Sequence, residues 1–157
     1  MIRLAGVAQA VLQENLKFNN WKVPDSAQLK LEFKVEHELK HLDIFKDEKD
    51  FLDKIKQGKV LTLSAADDRR IANRSHTKSF DELHHLIQMY GSYPKYRNED
   101  TLRNIYKGFK EGRQMDLPII IEFINGNRRI FSGNTRLDVA FQLDVNPIKV
   151  LLIYADI

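Results

Sequence analysis

The chain has 157 residues, 43% of them hydrophobic and 30% charged, which predicts about one globular domain with a substantial core. The absence of cysteine excludes disulfides, a thiolate zinc site and a cysteine nucleophile, and it fits a reducing cytoplasm. The formal charge of +3 is compatible with a phosphate-bearing partner but does not require one, because 22 acidic residues are interspersed with 25 basic ones.

The N-terminal segment predicts an amphipathic helix over residues 4–18, because apolar residues recur at helical spacing from Leu4 to Leu16. Glu14 and Asn15 interrupt the apolar run, so we expect no signal peptide. No run in the sequence approaches the roughly 20 apolar residues that a transmembrane helix needs, so we also expect no membrane span.

The clearest period-two pattern lies in residues 28–40. From Leu29 to Leu39, apolar residues and His37 alternate with lysine and glutamate, which predicts a half-buried strand. The same segment contains H-E-L-K-H at residues 37–41, and the zinc motif H-E-x-x-H places two histidines on one face of a helix. In a strand the two histidines would lie roughly 13 Å apart, so we predict that they do not share a metal ion.

The middle and the last third of the chain predict short alternating elements. They are a helix over 47–57, a strand over 60–63, an irregular polar segment over 65–78, helices over 79–91 and 101–111, strands over 118–124 and 129–132 joined by Asn125-Gly126, a helix over 135–143 and a strand over 149–154. This mixture predicts an α+β fold.

A glycine-containing turn lies between the strand over 129–132 and the helix that follows it. The first N–H groups of a helix have no partner within the helix, and the helix dipole favours an anion there. Glycine lets a ligand approach the main chain, hydroxyl and amide side chains can cap the helix, and arginine is suited to phosphate. The candidate phosphate-binding residues are Ser132, Gly133, Asn134, Thr135 and Arg136. From these residues alone, a structural corner and a phosphate site stay equally open.

The wider pattern over residues 59–157 resembles the ParB/sulfiredoxin superfamily. A helix, a Pro-Ile strand, a hairpin and G-x-x-R-x-x-A opening a helix are its common features, and the last motif is Gly133, Arg136 and Ala140 here. Ser-Gly-Asn-Thr-Arg is also similar to the Asp-Gly-His-Thr-Arg of free-serine kinases in that superfamily. The whole resembles ParB-like proteins of tailed phages.

This resemblance implies a ParB/sulfiredoxin-like mixed sheet with flanking helices over residues 59–157. Residues 1–58 match no family and predict a helix-strand-helix extension packed on that core. The resemblance further implies a nucleotide-phosphate site for ATP or CTP, with Mg²⁺ as an accompanying ion and with phosphoryl-transfer or phosphodiester chemistry. The alternative is a non-enzymatic module, phage-encoded and acting in the host cytoplasm, that binds DNA, other nucleic acid or a host protein.

Two departures from the sequence pattern of the superfamily narrow the range of functions that we expect. Sulfiredoxin needs a cysteine in this turn, and here the position is Asn134 or Thr135, which excludes its redox chemistry. No helix-turn-helix module follows residue 157, so we expect no role in chromosome segregation.

A second functional loop is expected after the strand over 60–63. Arginines there could clamp phosphates, and a carboxylate could hold Mg²⁺ or act as a general base. The candidates are Arg69, Arg70 and Arg74 for phosphate and Asp67 or Asp68 for catalysis. An Asp-Asp-Arg-Arg run is also an ordinary solvated surface. We predict that residues 65–76 face the Gly133 turn across one cleft.

Overall fold

A computed structural model describes residues 16–39, 43–72, 74 and 99–157, and these residues form the predicted mixture of helices and strands. The helices are α1 (Ser26–Phe33), α2 (Glu48–Gln57), α3 (Ala65–Arg69), α4 (Glu99–Glu111) and α5 (Asn134–Gln142), and a π-helical segment (Lys34–Leu39) follows α1. The strands are β1 (Leu16–Lys17), β2 (Trp21–Lys22), β3 (Lys59–Thr62), β4 (Met115–Asp116), β5 (Ile119–Glu122), β6 (Arg128–Ser132), β7 (Val145–Asn146) and β8 (Lys149–Tyr154). No helix within the described ranges is long and apolar enough to cross a membrane.

The chain divides into two compact units. Among the described residues, the sheet unit comprises 21–39, 43–72, 74, 116–134 and 149–157, and the helical unit comprises 16–20, 99–115 and 135–148. The division of the sequence into residues 1–58 and 59–157 stays a prediction.

A mixed sheet with the strand order β3-β8-β5-β6 organises the sheet unit. β8 pairs antiparallel with β3 and parallel with β5, and β5 pairs antiparallel with β6. The predicted last strand is confirmed over residues 149–154. The hairpin between β5 and β6 is also confirmed, but β5 ends at Glu122 and not at residue 124. The turn has three residues instead of the predicted two, because Phe123 N donates to Asn127 O at 2.8 Å and Gly126 N donates to Phe123 O at 2.9 Å.

Helices α1 and α2 supply large apolar side chains to the core of the sheet unit. Asp47 caps α2 by accepting a hydrogen bond from Asp50 N at 2.8 Å, and the predicted end of the helix at residue 57 is confirmed, with Gly58 as the C-cap. The core includes Leu29, Phe33, Phe51, Ile55, Ile119, Ile121, Phe131, Leu151 and Ile153. Each such side chain contributes about 1.5–3 kcal/mol when it is fully buried.

The strand predicted over residues 28–40 is wrong, because α1 and the π-helical segment occupy residues 26–39. Asp25 caps α1 by accepting a hydrogen bond from Gln28 N at 2.9 Å. The helix buries Leu29 and Phe33, which are four residues apart, and leaves Leu31 55% exposed. Leucine, lysine and glutamate are good helix formers, so local propensity and the cap outweighed the period-two pattern.

Two further boundaries differ from the prediction. The helix predicted over residues 4–18 is wrong at its end, where Leu16 and Lys17 form β1, and residues 4–15 lie outside the described residues. The polar segment predicted as irregular begins with the short helix α3, which Ser64 caps. The helix predicted over 79–91 also lies outside the described residues.

The helical unit contains α4, most of α5 and the parallel pair of β1 with β7. Phe18 and Phe109 pack edge to face with ring centroids 5.1 Å apart. Leu137 and Val139 of α5 are fully buried. The predicted helices over 101–111 and 135–143 are confirmed, with shifts of one or two residues at their ends.

Candidate functional site

Gly133 forms the corner between β6 and α5. Its φ angle is +92°, a conformation that glycine adopts without the steric penalty that a Cβ would bring. Ser132 ends β6 on one side of the corner, and Asn134 begins the nine-residue helix α5 on the other. The backbone of the predicted cradle therefore requires glycine at this position.

Arg74 ties the Asn134 side of this corner to the loop after β3. Its Nε donates to Asp68 Oδ1 at 2.5 Å and its Nη2 donates to Asp68 Oδ2 at 3.2 Å. Its Nη1 donates to the backbone oxygen of Asn134 at 3.3 Å and also to the side-chain Oδ1 of Asn134. The Arg74 side chain is 2% exposed and that of Asp68 is 10% exposed, so both charges are held away from water.

This burial changes the role expected for both residues. All three guanidinium nitrogens of Arg74 contact protein oxygens, so Arg74 positions the corner rather than presenting itself to a phosphate. The Asp68 carboxylate accepts hydrogen bonds at both oxygens, which compensates the free-energy cost of burying its charge. Asp68 therefore acts here as the counter-ion that fixes the Arg74 guanidinium.

The Ser132 side of the corner is tied to α1. Ser132 Oγ donates to Glu32 Oε2 at 3.1 Å, and Gln28 Nε2 donates to Glu32 Oε1 at 3.3 Å. Sequence reasoning missed Glu32, because its segment was assigned to a strand. The Pro24-Asp25-Ser26 sequence, which also fits a helix start, was the signal that could have found it. A carboxylate at this place can accept a proton or hold a cation, and it repels a bare phosphate.

Asp67 and Arg70 lie near the opposite end of β6. Ile71 bridges to Arg128, and Ala72 N donates to Arg128 O at 2.9 Å, so the segment that leads to Arg74 runs alongside β6. The two ends of this five-residue strand are roughly 13 Å apart. An open depression of about 440 Å³ lies at the hairpin end, and it is lined by Asp67, Arg70, Glu122, Gly126, Asn127 and Arg128. Of the predicted loop residues, Asp68 and Arg74 thus lie next to the Gly133 corner, whereas Asp67 and Arg70 lie at the hairpin end of β6.

Asp67 has a local structural partner. The Ser64 hydroxyl donates to Asp67 Oδ2 at 2.9 Å and accepts from Asp67 N at 3.1 Å, an arrangement similar to a capping box at the start of α3. Hydrogen bonds from the Ser64 hydroxyl and the Ser64 backbone lower the pKa of Asp67, and the charges of Arg128 and Arg70 lower it further. Asp67 is therefore held in its ionised form. Arg69, the remaining loop arginine, is exposed.

Thr135 and Arg136 continue α5 and belong to the helical unit. Both residues are partly buried there. Their assignment as phosphate ligands stays a prediction from the sequence motif.

Within the described ranges, no group of three or more histidine, aspartate or glutamate side chains is arranged to hold a metal ion. His37 stacks on Phe33 with ring centroids 4.7 Å apart, and its Nε2 lies 4.0 Å from Asp43 Oδ1. The argument from strand spacing against a shared metal ion no longer applies, because residues 34–39 are helical. His41 lies outside the described residues, so the expectation for this motif stays a prediction.

Comparisons with known proteins match no family model, no curated protein and no solved structure.

Proposed function

We propose that the Gly133 turn binds the phosphates of a nucleotide, ATP or CTP, in a ParB/sulfiredoxin-like fold. The observation that carries the proposal is a positive-φ glycine at the start of α5, held on one side by Arg74 and on the other by the contact between Ser132 and Glu32. A turn held in this way needs little rearrangement to receive a ligand, which favours binding. The resemblance to the G-x-x-R-x-x-A motif is the reason for proposing a nucleotide as the ligand.

The groups that would bind phosphate follow from the backbone at the corner. The first N–H groups of α5 favour an anion, and Gly133 leaves room for it next to the main chain. The sequence motif, and not the geometry, adds the Thr135 hydroxyl and the Arg136 guanidinium to this set, and charge-assisted hydrogen bonds of this kind contribute about 1.5–3 kcal/mol each. Arg74 supports this site without contacting the ligand.

Glu32 is the residue we propose for the accompanying Mg²⁺. The ion would offset the repulsion between the carboxylate and a phosphate, and its preferred ligands are oxygen atoms. In phosphoryl transfer the same carboxylate could accept the proton of the attacking hydroxyl. Glu32 suits these roles better than Asp68, because the Asp68 carboxylate is already paired with Arg74 in the interior.

A thermal-shift experiment tests the proposal. ATP, CTP and inorganic phosphate are added with and without Mg²⁺, and a nucleotide present at a hundredfold excess over its Kd should stabilise the fold by about 2.7 kcal/mol. Gly133→Val should abolish the shift by blocking phosphate approach. Gly126→Val is the matched control, because Gly126 also has a positive φ, +87°, and lies in the hairpin. If no nucleotide raises the melting temperature of the unsubstituted protein, the proposal is wrong.

The second candidate is a non-enzymatic module that binds nucleic acid or a host protein. One observation favours it: Asp67 is hydrogen-bonded to Ser64, the cap of α3, and Asp68 pairs with Arg74, so both predicted catalytic residues have structural partners. Binding of nucleic acid without hydrolysis or transfer of a nucleotide phosphate would support this candidate. Hydrolysis or phosphate transfer that is lost in Glu32→Gln would exclude it.

A further inference from the structure

A row of basic side chains follows the exposed face of α4. Arg103, Lys107 and Lys110 are four and three residues apart, so the helical repeat places them on one face. All three are exposed, whereas Phe109, on the opposite side of the helix, is 1% exposed. With a rise of about 1.5 Å per residue, the row extends over about 10 Å of the helix axis. We call these three residues the basic stripe.

Two charges of the basic stripe are not neutralised within the described part of the chain. Lys107 and Lys110 form no ion pair or hydrogen bond with any described residue. Glu111 lies four residues after Lys107, at a spacing that permits an ion pair on a helix, but Glu111 pairs with Arg113 instead. The two ammonium groups are therefore available to an anionic partner.

The basic stripe is unfavourable for the helix that carries it. Like charges three or four residues apart repel one another on a helix surface, and Lys107 has such a neighbour on each side. The helix dipole favours Lys110, which lies in the last turn, but this effect falls off within that turn and does not reach Arg103. A polyanion bound along the stripe would replace this repulsion with attraction.

The lack of exposed apolar side chains near the stripe identifies the partner class. In the described ranges, the exposed large apolar side chains all belong to the sheet unit, and they are Val23, Leu31, Val60, Ile124, Tyr154 and Ile157. A protein partner would need an apolar centre to its interface, and a membrane would need an apolar helix face to insert. Binding to the phosphates of a nucleic acid depends on cations alone.

We propose that the basic stripe of α4 binds the phosphodiester backbone of a nucleic acid. One strand of a duplex carries a phosphate about every 3.4 Å, so about 10 Å of helix spans about three phosphates, which equals the number of cations. Contacts with phosphates carry no sequence information, so the binding should be independent of sequence. This role does not depend on nucleotide binding by the Gly133 turn, and it gives the second candidate function, nucleic-acid binding, a specific surface.

Titration of a fluorescently labelled DNA duplex with the full chain, followed by anisotropy over a range of salt concentrations, tests the proposal. Neutralisation of three phosphates predicts a slope of roughly −3 for the logarithm of the binding constant against the logarithm of the salt concentration. The double variant Lys107→Gln with Lys110→Gln should reduce the magnitude of this slope by about two and weaken binding at low salt by roughly a hundredfold. Glutamine is as good a helix former as lysine, so the helix should be retained.

Lys30→Gln with Lys34→Gln is the matched control. These lysines are also exposed and four residues apart, and the double substitution changes the net charge by the same amount. It should leave the slope unchanged. Equal losses in the two double variants would show that net charge alone attracts the duplex, which would overturn the proposal. So would an unsubstituted chain that does not bind the duplex at low salt, or one that binds phosphatidylserine vesicles but not the duplex.

A nucleotide measurement separates this proposal from that of the phosphate turn. Lys107→Gln with Lys110→Gln should keep the thermal shift that ATP or CTP produces in the unsubstituted chain, because the basic stripe is not part of the turn. Loss of duplex binding with this shift retained would support two separate sites. Loss of both in the same variant would overturn the independence of the basic stripe.

Discussion

Arg74 binds both oxygens of the Asp68 carboxylate, with an Nε–Oδ1 distance of 2.5 Å and an Nη2–Oδ2 distance of 3.2 Å. The same guanidinium donates to the main chain and the side chain of Asn134, next to Gly133. A buried ion pair thus connects the loop after β3 with the corner that begins α5. Its function is to hold the corner, and its loss would affect stability first.

Arg74→Met should destabilise the protein by about 3–5 kcal/mol, because it leaves the buried Asp68 carboxylate without its counter-ion. Urea unfolding measures the change. Arg69→Met is the control, since Arg69 is exposed and its substitution should change the free energy of unfolding by less than about 0.5 kcal/mol. Similar unfolding curves for the two variants would argue against a structural role for the ion pair.

Asp67 should contribute to the acid dependence of stability. Its folded-state pKa is lowered, chiefly by the Ser64 hydroxyl, so the folded state binds the proton less readily than the unfolded state. The contribution is present above the ordinary aspartate pKa of about 3.9 and is lost as the pH falls through the folded-state value. Ser64→Ala should raise the pKa of Asp67, as measured by NMR titration of the carboxyl carbon. An unchanged titration would rule out the Ser64 hydroxyl as the cause.

The elements predicted best are those in which pattern, propensity and turn residues agree. Residues 119–121 are three consecutive isoleucines that are fully buried, and Asn125-Gly126 follows them closely, so a strand and a hairpin were both readable. Residues 28–40 show the opposite case. Their apolar residues alternate, but their lysines, glutamates and leucines favour a helix, and the cap at Asp25 decided between the two.

The candidate site was predictable only in part. The Gly133 corner could be predicted from the sequence, because a glycine between a strand and a helix indicates a local backbone conformation that favours glycine. The pairing of Asp68 with Arg74 could not be predicted from the sequence. The run of charged residues from Asp67 to Arg74 does not indicate which charges are buried. Glu32 was missed because its segment was predicted to be a strand, and its contact with Ser132, 100 positions away, could not be predicted from the sequence. Tertiary packing determines both contacts.

Glu32→Gln should separate the contribution of Mg²⁺ to nucleotide binding from the contribution of the Gly133 turn. Removing the carboxylate charge should strengthen metal-free binding of ATP or CTP by roughly tenfold, about 1.4 kcal/mol, and should remove the Mg²⁺ dependence. The glutamine oxygen can still accept the hydrogen bond from Ser132, so the turn should keep its shape. Glu36→Gln, four residues further along the chain, is the control. Equal Mg²⁺ dependence in the unsubstituted protein and Glu32→Gln would exclude Glu32 as the metal ligand.

Arg136→Ala should weaken nucleotide binding by roughly ten- to a hundredfold, since one charge-assisted hydrogen bond contributes about 1.5–3 kcal/mol. Calorimetric titration of ATP and CTP measures the change. Arg136→Lys should be intermediate, because lysine keeps the charge but lacks the planar fork. A lower melting temperature with unchanged affinity in Arg136→Ala would instead assign Arg136 a purely structural role.

The amide resonances of Gly133 and Asn134 provide the most direct test of the phosphate turn. In a ¹⁵N-labelled protein titrated with ATP or CTP in the presence of Mg²⁺, both resonances should shift progressively and saturate with the same Kd that calorimetry gives. The amide of Gly126, a positive-φ glycine at the hairpin, should not move. Saturable nucleotide binding that leaves Gly133 and Asn134 unchanged would contradict the account, and Gly133 would then be only the corner between β6 and α5.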